Sequence, residues 1–106
     1  MTTFNDREKG FENKFAHDEA MQFKAVARRN RLLGLWAASL LGKTGDDAAA
    51  YAMEVVKADF AAPGEEDLFH KVSHDLDHRA DESTIRAKMA EFLAVAKGQV
   101  LTETGS

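Results

Sequence analysis

The sequence contains no cysteine and only one proline among its 106 residues. Without cysteine, the chain can form neither disulfides nor thiolate metal sites, and it has no thiol nucleophile. It also lacks a long apolar run, because the most apolar stretch, residues 32–41, is far shorter than the roughly 20 residues of a membrane span. The first residues, MTTFNDREKG, are polar and acidic, so we expect no signal or transit peptide. With 14 basic against 18 acidic residues and a net charge of −4, nucleic acid is a disfavoured partner.

The residues that are present indicate one soluble helical domain. Hydrophobic residues make up 44% and charged residues 30% of the chain, which is typical of globular proteins. Apolar residues recur with the helical period, and no segment alternates with period two. We therefore predict an all-α fold, a four-helix bundle with short connections. The predicted helices cover residues 4–41, 47–60, 65–79 and 82–102.

Each of the last three predicted helices has an apolar stripe that can face a core. In the third helix the stripe consists of Leu68, Phe69, Val72 and Leu76. The other predicted inward residues are Ala48, Ala52, Val55 and Val56 in the second helix, and Ile85, Met89, Phe92, Ala96 and Val100 in the fourth.

The connections contain residues that end and start helices. Gly42 suits the position after the end of the first helix, and Gly45 allows a second turn. Asp46 is predicted to cap the second helix, and either Asp81 or Ser83 to cap the fourth.

The first predicted helix has two apolar patches in one register. At 100° per residue, Phe4, Phe11 and Phe15 fall within about a 40° arc. The stripe is interrupted by Asp18 and Gln22, which cannot anchor a core. It resumes at Val26, Leu33, Trp36, Ala37 and Leu40.

The other predicted helices are about 14 to 21 residues long, so they can pack along the second patch, residues 26–41, but not along the first as well. We therefore expect a long first helix whose N-terminal part is loosely docked or disordered. The predicted division is a segment of residues 1–20 and a bundle domain of residues 21–106. A narrow aromatic stripe on a charged helix is typical of a segment that docks into a groove on another protein.

Three histidines in HKVSHDLDH, namely His70, His74 and His78, lie four residues apart. This spacing can hold a metal on one helix face. Their directions are opposite to the apolar stripe of the third helix, so we expect them in water, without the hydrogen-bonded neighbours that orient metal ligands. We predict no metal site, and a metal-sensing bundle is kept only as an alternative.

Basic residues in KAVARRNR form a second candidate site. Lys24, Arg28 and Arg31 share one face, Arg29 lies beside them, and Trp36 follows one or two turns later. Guanidinium groups bind phosphate, and an aromatic ring can stack on a base, which allows an anion or nucleotide site. The other interpretation is an ordinary charged outer face of a bundle helix. The spacing does not decide between them.

No catalytic set is present in the sequence. The only serine beside a histidine is Ser73, next to His74, and adjacent residues on a helix diverge. We therefore predict that the protein is not an enzyme and needs no cofactor.

Four motifs together identify a family resemblance: KFAHD, ARRNRLLG, LLGKTGD and TIRAKM. With them the chain resembles, from Met1 to about Glu103, the zeta subunit of alphaproteobacterial F-type ATP synthases. The resemblance implies a small four-helix protein that inhibits ATP hydrolysis by the synthase. It also implies a location in the cytoplasm, peripheral to the inner membrane through the synthase and without insertion into the membrane.

The resemblance further implies that the segment from about Thr2 to Glu19 inserts as a helix at a catalytic alpha/beta interface, near the gamma subunit of the central stalk. There it would block rotation in the direction of hydrolysis while synthesis proceeds. By position, its contact residues would be Phe4, Arg7, Phe11, Lys14, Phe15 and His17. The alternative function is a small helical nucleotide-binding or regulatory interaction module, with ATP or ADP as a weak ligand of Lys24, Arg28, Arg31 and Trp36.

Overall fold

The structure, a computed structural model, describes residues 18–61 and 65–105. Within these residues the chain forms four α-helices and no strand, which confirms the predicted all-α four-helix fold. The helices are α1 (Glu19–Leu40), α2 (Gly45–Ala61), α3 (Glu65–Leu76) and α4 (Glu82–Gly105), with a 3₁₀ turn at Asp77–Arg79 between α3 and α4. None of the helices in this described part of the chain is long and apolar enough to cross a membrane.

Helix α1 starts at an N-cap formed by Asp18. The Asp18 backbone is extended (φ −121°, ψ 94°), and its side chain accepts a hydrogen bond of 3.0 Å from the Met21 amide. A carboxylate that satisfies a free amide in this way favours the start of a helix over its interior. The helix predicted to run unbroken over residues 4–41 is therefore corrected at Asp18. Residues 1–17, with the predicted loose docking or disorder, lie outside the described residues.

The turn after α1 confirms the role predicted for Gly42. Its φ of 78° is in the left-handed region, which glycine adopts without steric cost. The Lys43 amide donates to the Ala38 carbonyl at 2.9 Å and the Gly42 amide to the Ser39 carbonyl at 3.2 Å. This pair of bonds is a Schellman motif, which satisfies the last carbonyls of the helix.

Helix α2 begins two residues before its predicted start. The Thr44 carbonyl accepts from the Asp47 amide at 3.2 Å and from the Ala48 amide at 3.3 Å. Asp46, predicted as the cap, lies instead in the first turn together with Asp47. Both carboxylates there face the positive end of the helix dipole.

At the α3–α4 connection the α-helix ends sooner than the predicted residue 79. Asp77 has a φ of 55°, which cannot continue an α-helix, and the chain passes into the 3₁₀ turn. Asp81 caps α4, because its Oδ1 accepts from the Thr84 amide at 2.8 Å. Ser83, the alternative cap, lies inside the helix.

Two apolar clusters stabilise the fold. The larger, which we call the main core, joins all four helices and has the buried members Leu33, Ala37, Ala38, Tyr51, Val55, Leu68, Phe69, Val72, Leu76, Ile85 and Met89. The smaller, the second cluster, joins α1 and α4 and has the buried members Met21, Ala25, Ala96 and Val100.

The inward residues predicted for α3 are all buried. On α2, Ala52 and Val55 are buried and Ala48 and Val56 are half-buried, and on α4 only Phe92 is half-buried.

On α1 the predicted inward face is partly wrong. Leu33 and Ala37 are buried as predicted, but Leu40 is 39% exposed, and Val26 and Trp36 are only half-buried. The buried face instead follows every fourth residue, through Met21, Ala25, Arg29, Leu33 and Ala37. This face includes the polar residue Arg29, which a prediction from apolar residues alone leaves out.

Helices α1 and α2 approach each other closely at Gly34. A Cβ atom added there would lie 2.6 Å from the Ala52 Cα, so Gly34→Ala forces the two backbones apart. We expect this change to lower the free energy of unfolding by about 1–3 kcal/mol, measured by thermal or denaturant unfolding. Gly98→Ala is the matched control, since nothing lies within 4 Å of a Cβ there. It should stabilise the exposed helix by about 0.5–1 kcal/mol, and the prediction fails if both changes stabilise.

Candidate functional site

The six residues predicted to contact a partner all precede Asp18 and lie outside the described residues. They are Phe4, Arg7, Phe11, Lys14, Phe15 and His17. Their contact role therefore stays a prediction. The described chain begins at the Asp18 cap, where this segment joins α1.

The first turns of α1 pack on the C-terminal part of α4. Met21 and Ala25 are 4% and 1% exposed and belong to the second cluster, which also holds Val100 of α4. Arg28 and Glu103 add an ion pair with two contacts, of which Nη2 to Oε1 measures 2.8 Å. The hydrogen bond to Glu103 raises the pKa of Arg28, and the same bond lowers the pKa of the Glu103 carboxyl. These contacts hold the start of α1 against α4.

The four residues of the predicted anion site do not all remain available. Arg28 forms the ion pair with Glu103, and Trp36 is half-buried against the main core. Lys24 and Arg31 are exposed on α1. Two of the four are thus engaged within the chain, and the nucleotide site stays an untested prediction.

The structure places two polar residues of α1 in the interior, Arg29 at 2% and Asn30 at 0% exposure. Arg29 Nε donates to Asn30 Oδ1 at 2.7 Å, and Arg29 Nη1 donates to Glu65 Oε1 at 3.1 Å. Asn30 Nδ2 donates to Asp59 Oδ2 at 2.9 Å. This Arg29–Asn30 network ties α1 to the end of α2 and the start of α3. It satisfies buried polar groups that would otherwise destabilise the fold.

Arg29 was predicted to lie beside the basic surface, and this is corrected by its burial. The four-residue spacing of Arg29 from Ala25 and Leu33 was the signal that could have identified it. Residues four apart lie on nearly the same face of a helix, and Ala25 and Leu33 on either side of Arg29 are both buried.

A second charged group joins α3 to α4 at the surface. The Arg86 guanidinium contacts Glu66 at 3.1 and 3.2 Å and Glu82 at 3.0 Å. It also lies 4.0 Å from the centre of the Phe69 ring, a cation–π geometry. Hydrogen bonds from Arg86 lower the pKa of the Glu66 carboxyl. Arg86 thus lies over the ring of a core residue and joins α3 to α4, which is a structural role.

A third group lies where α2 packs on α3. The Tyr51 hydroxyl donates to Asp75 Oδ2 at 3.0 Å, and Lys71 Nζ donates to the same oxygen at 2.9 Å. Burial first, and then the hydrogen bond to Asp75, raise the pKa of the Tyr51 hydroxyl above its usual range. Tyr51 was missing from the predicted inward residues, although it is one residue before Ala52 and 5% exposed.

The three histidines are exposed, as predicted. The His70 and His78 side chains are 72% and 97% exposed. His74 is also exposed, and it lies on α3 with His70, whereas His78 lies in the 3₁₀ turn. In the part of the chain that the structure describes, no group of three or more His, Cys, Asp or Glu side chains is placed to hold a metal ion.

Comparison with known proteins identifies a family and a similar solved structure. A family model described as ATPase inhibitor subunit zeta matches residues 1–99. A solution NMR structure is 58% identical in sequence, covers 78% of this chain and 98% of its own length, and has a TM-score of 0.73. No curated protein matches the chain. The family match includes the whole segment before Asp18 as well as α1–α3 and most of α4.

Proposed function

Because the chain belongs to the family of the ATPase inhibitor subunit zeta, we propose that it inhibits ATP hydrolysis by an F-type ATP synthase through its N-terminal segment. The family is that of a regulatory subunit rather than of an enzyme. The partner surface in this proposal is a catalytic alpha/beta interface close to the gamma subunit. Nothing in the proposal requires a cofactor.

The observation that supports a separate inhibitory segment is the Asp18 cap. An extended backbone with a capped amide starts α1 at Glu19, so the bundle has its own helix start that needs no preceding helical turn. Among the described residues, the first α1 residue of the second cluster is Met21, and the first of the main core is Leu33. The segment of residues 1–20 can therefore act as the inhibitory part, and residues 21–106 as the bundle that holds it.

In the proposed complex, the segment before Asp18 forms a helix whose aromatic stripe enters a groove between alpha and beta. Phe4, Phe11 and Phe15 would supply the buried area, because apolar burial gives roughly 25 cal/mol per Å². Arg7 and Lys14 would lie beside the stripe and pair with acidic groups at the rim. His17 would lie farther around the helix, on a different face from the stripe. A helix held in a catalytic interface stops the closing motion that hydrolysis needs.

The test is a titration of the F-type synthase with the purified full chain, with hydrolysis and synthesis measured separately. We expect hydrolysis to fall in a saturable way while synthesis is spared. The control is a chain of residues 18–106, which retains the Asp18 cap and should melt within a few degrees of the full chain. It should not inhibit, because it lacks residues 1–17 and with them all six predicted contact residues. Equal inhibition by the shortened chain would assign the activity to the bundle and overturn the proposal.

A further inference from the structure

Helix α1 presents one side to water between its contacts with α2 and α4. Asn30 and Gly34 face α2, and Leu33 belongs to the main core. At 100° per residue, Arg31 and Leu35 lie on the other side of the α2-facing line from Leu33, so they point away from the core. Arg31 is exposed and Leu35 is half-buried.

Helix α2 continues the same outer surface. It faces α1 through Ala52 and Asp59. By the same helical geometry Val56, Met53 and Lys57 follow, in that order, from the α1-facing line toward the outer side. Met53 is 51% exposed, Lys57 is exposed and Val56 is half-buried.

The antiparallel packing of the two helices sets these residues level with one another. Asn30 bonds to Asp59, and a Cβ added at Gly34 would meet Ala52. Position 31 of α1 is therefore level with about position 57 of α2, and position 35 with about position 53. Three apolar side chains thus lie between two basic ones. We call this set the α1–α2 outer face: Arg31, Leu35, Met53, Val56 and Lys57.

The two basic side chains of the outer face have no acidic partner in the described part of the chain. No ion pair or hydrogen bond joins Arg31 or Lys57 to another residue there. Elsewhere on the bundle, Arg28, Arg86 and Lys88 all pair with glutamates. Two cations held level on neighbouring helices can both be satisfied by carboxylates brought between them.

The exposed acids of α2 do not take this place. Glu54 lies toward Tyr51, since its charge contributes, after burial and Asp75, to the raised pKa of the Tyr51 hydroxyl. Asp46 is on the outer side of α2, but it precedes Lys57 by about 16 Å along the helix. The outer face is therefore locally positive in a chain whose net charge is −4.

We propose that the α1–α2 outer face is a docking surface for an acidic, amphipathic segment of the synthase, separate from the groove that takes the N-terminal segment. Carboxylates of that segment pair with Arg31 and Lys57, and its apolar side chains cover Met53. A polar rim around an apolar centre is the usual anatomy of a protein interface. An extended polyanion such as an anionic membrane meets the whole acidic chain and is repelled by it, whereas a single acidic segment meets only this face.

The identification of the partner rests on the proposed function and on the position of the face. Arg31 is about 18 Å along α1 from Glu19, where the described helix begins. A partner that holds the segment before Asp18 therefore has the outer face within reach. Two contacts on one chain raise the overall affinity even when the second is weak by itself.

The first test is binding of the labelled full chain to the purified F-type synthase at low salt. The double change Arg31→Glu with Lys57→Glu should weaken binding by about 10- to 100-fold, because two attractive charge contacts become repulsive. The difference should shrink at high salt.

The matched control is Lys43→Glu with Arg79→Glu. Both residues are exposed and lack an ion pair with a described residue, and the change in net charge is the same. This pair should stay within about threefold of the wild type, and both double variants should melt within a few degrees of it. Equal weakening by the two pairs, or no weakening by the outer-face pair, would overturn the proposal.

Photocross-linking separates this proposal from the proposed function. Benzoylphenylalanine in place of Met53 should cross-link to a synthase subunit, and the same group in place of Val95 on α4, which is 43% exposed, should not. Cross-linking from position 53 without inhibition would refute the proposed function and keep the docking surface. Inhibition without that cross-link, and with a silent outer-face pair, would do the reverse.

Vesicles of phosphatidylglycerol are the second probe. The wild-type chain should not bind them. Binding that is lost in the Arg31→Glu with Lys57→Glu variant would assign the outer face to an anionic lipid surface and overturn the proposal of a protein partner.

Discussion

Replacing both Phe11 and Phe15 with alanine should weaken inhibition of ATP hydrolysis by roughly 10²–10⁴-fold. The two positions are four residues apart, so in a helix their rings lie one turn apart on the same face. A single groove can bury both, and burial of each ring is worth about 1.5–3 kcal/mol by area. Since each 1.4 kcal/mol is tenfold in affinity, two rings give the expected range.

The fold itself should tolerate this double change, because the main core and second cluster of the described residues are built from Met21 onward. The measurement is a titration of ATP hydrolysis with wild-type and double-variant protein, beside their melting curves. Phe92→Ala is the control of the same chemistry within the bundle, since Phe92 packs against the main core. It should lower the melting temperature and affect inhibition only through loss of folded protein.

A double variant that inhibits as well as the wild type would exclude the two rings as the anchor. The contact would then have to be carried by the charged side chains Arg7, Lys14 and His17. A double variant that unfolds would instead assign the stripe to the bundle.

The parts of the fold that could be predicted are those in which one helix face alone decides burial. Helix α3 is the clearest case: Leu68, Val72 and Leu76 face the core, and charged or histidine side chains occupy the other face. Asp81 and Gly42 were also predictable, because a cap or a left-handed turn depends on local backbone chemistry.

The face of α1 could not be predicted in the same way. Arg29 and Asn30 are buried only because Glu65 and Asp59 reach them from other helices, and those partners are 29 or more residues away in sequence. A polar residue is assigned to solvent by default. Because Arg29 was assigned to solvent, the predicted face included Val26 and Leu40 and left out Met21 and Ala25, which are buried.

The candidate site is predictable to a different degree. Helical spacing alone places Phe11 and Phe15 on one face, and the family match includes them within residues 1–99. In the proposed complex, the burial of each ring would depend on the shape of a groove that the partner supplies. The exposed faces of α1 show the same limit, since Arg28 looked available from the sequence but pairs with Glu103, 75 residues away.

Replacing Asn30 with alanine should lower the free energy of unfolding by about 2–4 kcal/mol. Asn30 is fully buried, accepts from Arg29 and donates to Asp59. Truncation leaves the buried Arg29 Nε–H without its acceptor, and an unsatisfied group of a buried charge costs more than a lost neutral hydrogen bond. The cavity left by the amide adds to the loss. At roughly 4–8 °C per kcal/mol for a domain of this size, the melting temperature should fall by about 10 °C or more.

Two variants show whether the stability lost in Asn30→Ala comes from leaving the buried Arg29 guanidinium without an acceptor. Glu65→Gln keeps an acceptor for Arg29 at a side chain that is 59% exposed, so it should cost about 1 kcal/mol or less. The double change Arg29→Met with Asn30→Leu removes both buried polar groups and fills the space with apolar atoms. It should recover most of the stability lost in Asn30→Ala, because replacing a buried polar group together with its partner is far less costly than removing one alone. If Asn30→Ala melts within about 2 °C of the wild type, Arg29 has found another acceptor, and its bond to Asn30 contributes little to the stability of the fold.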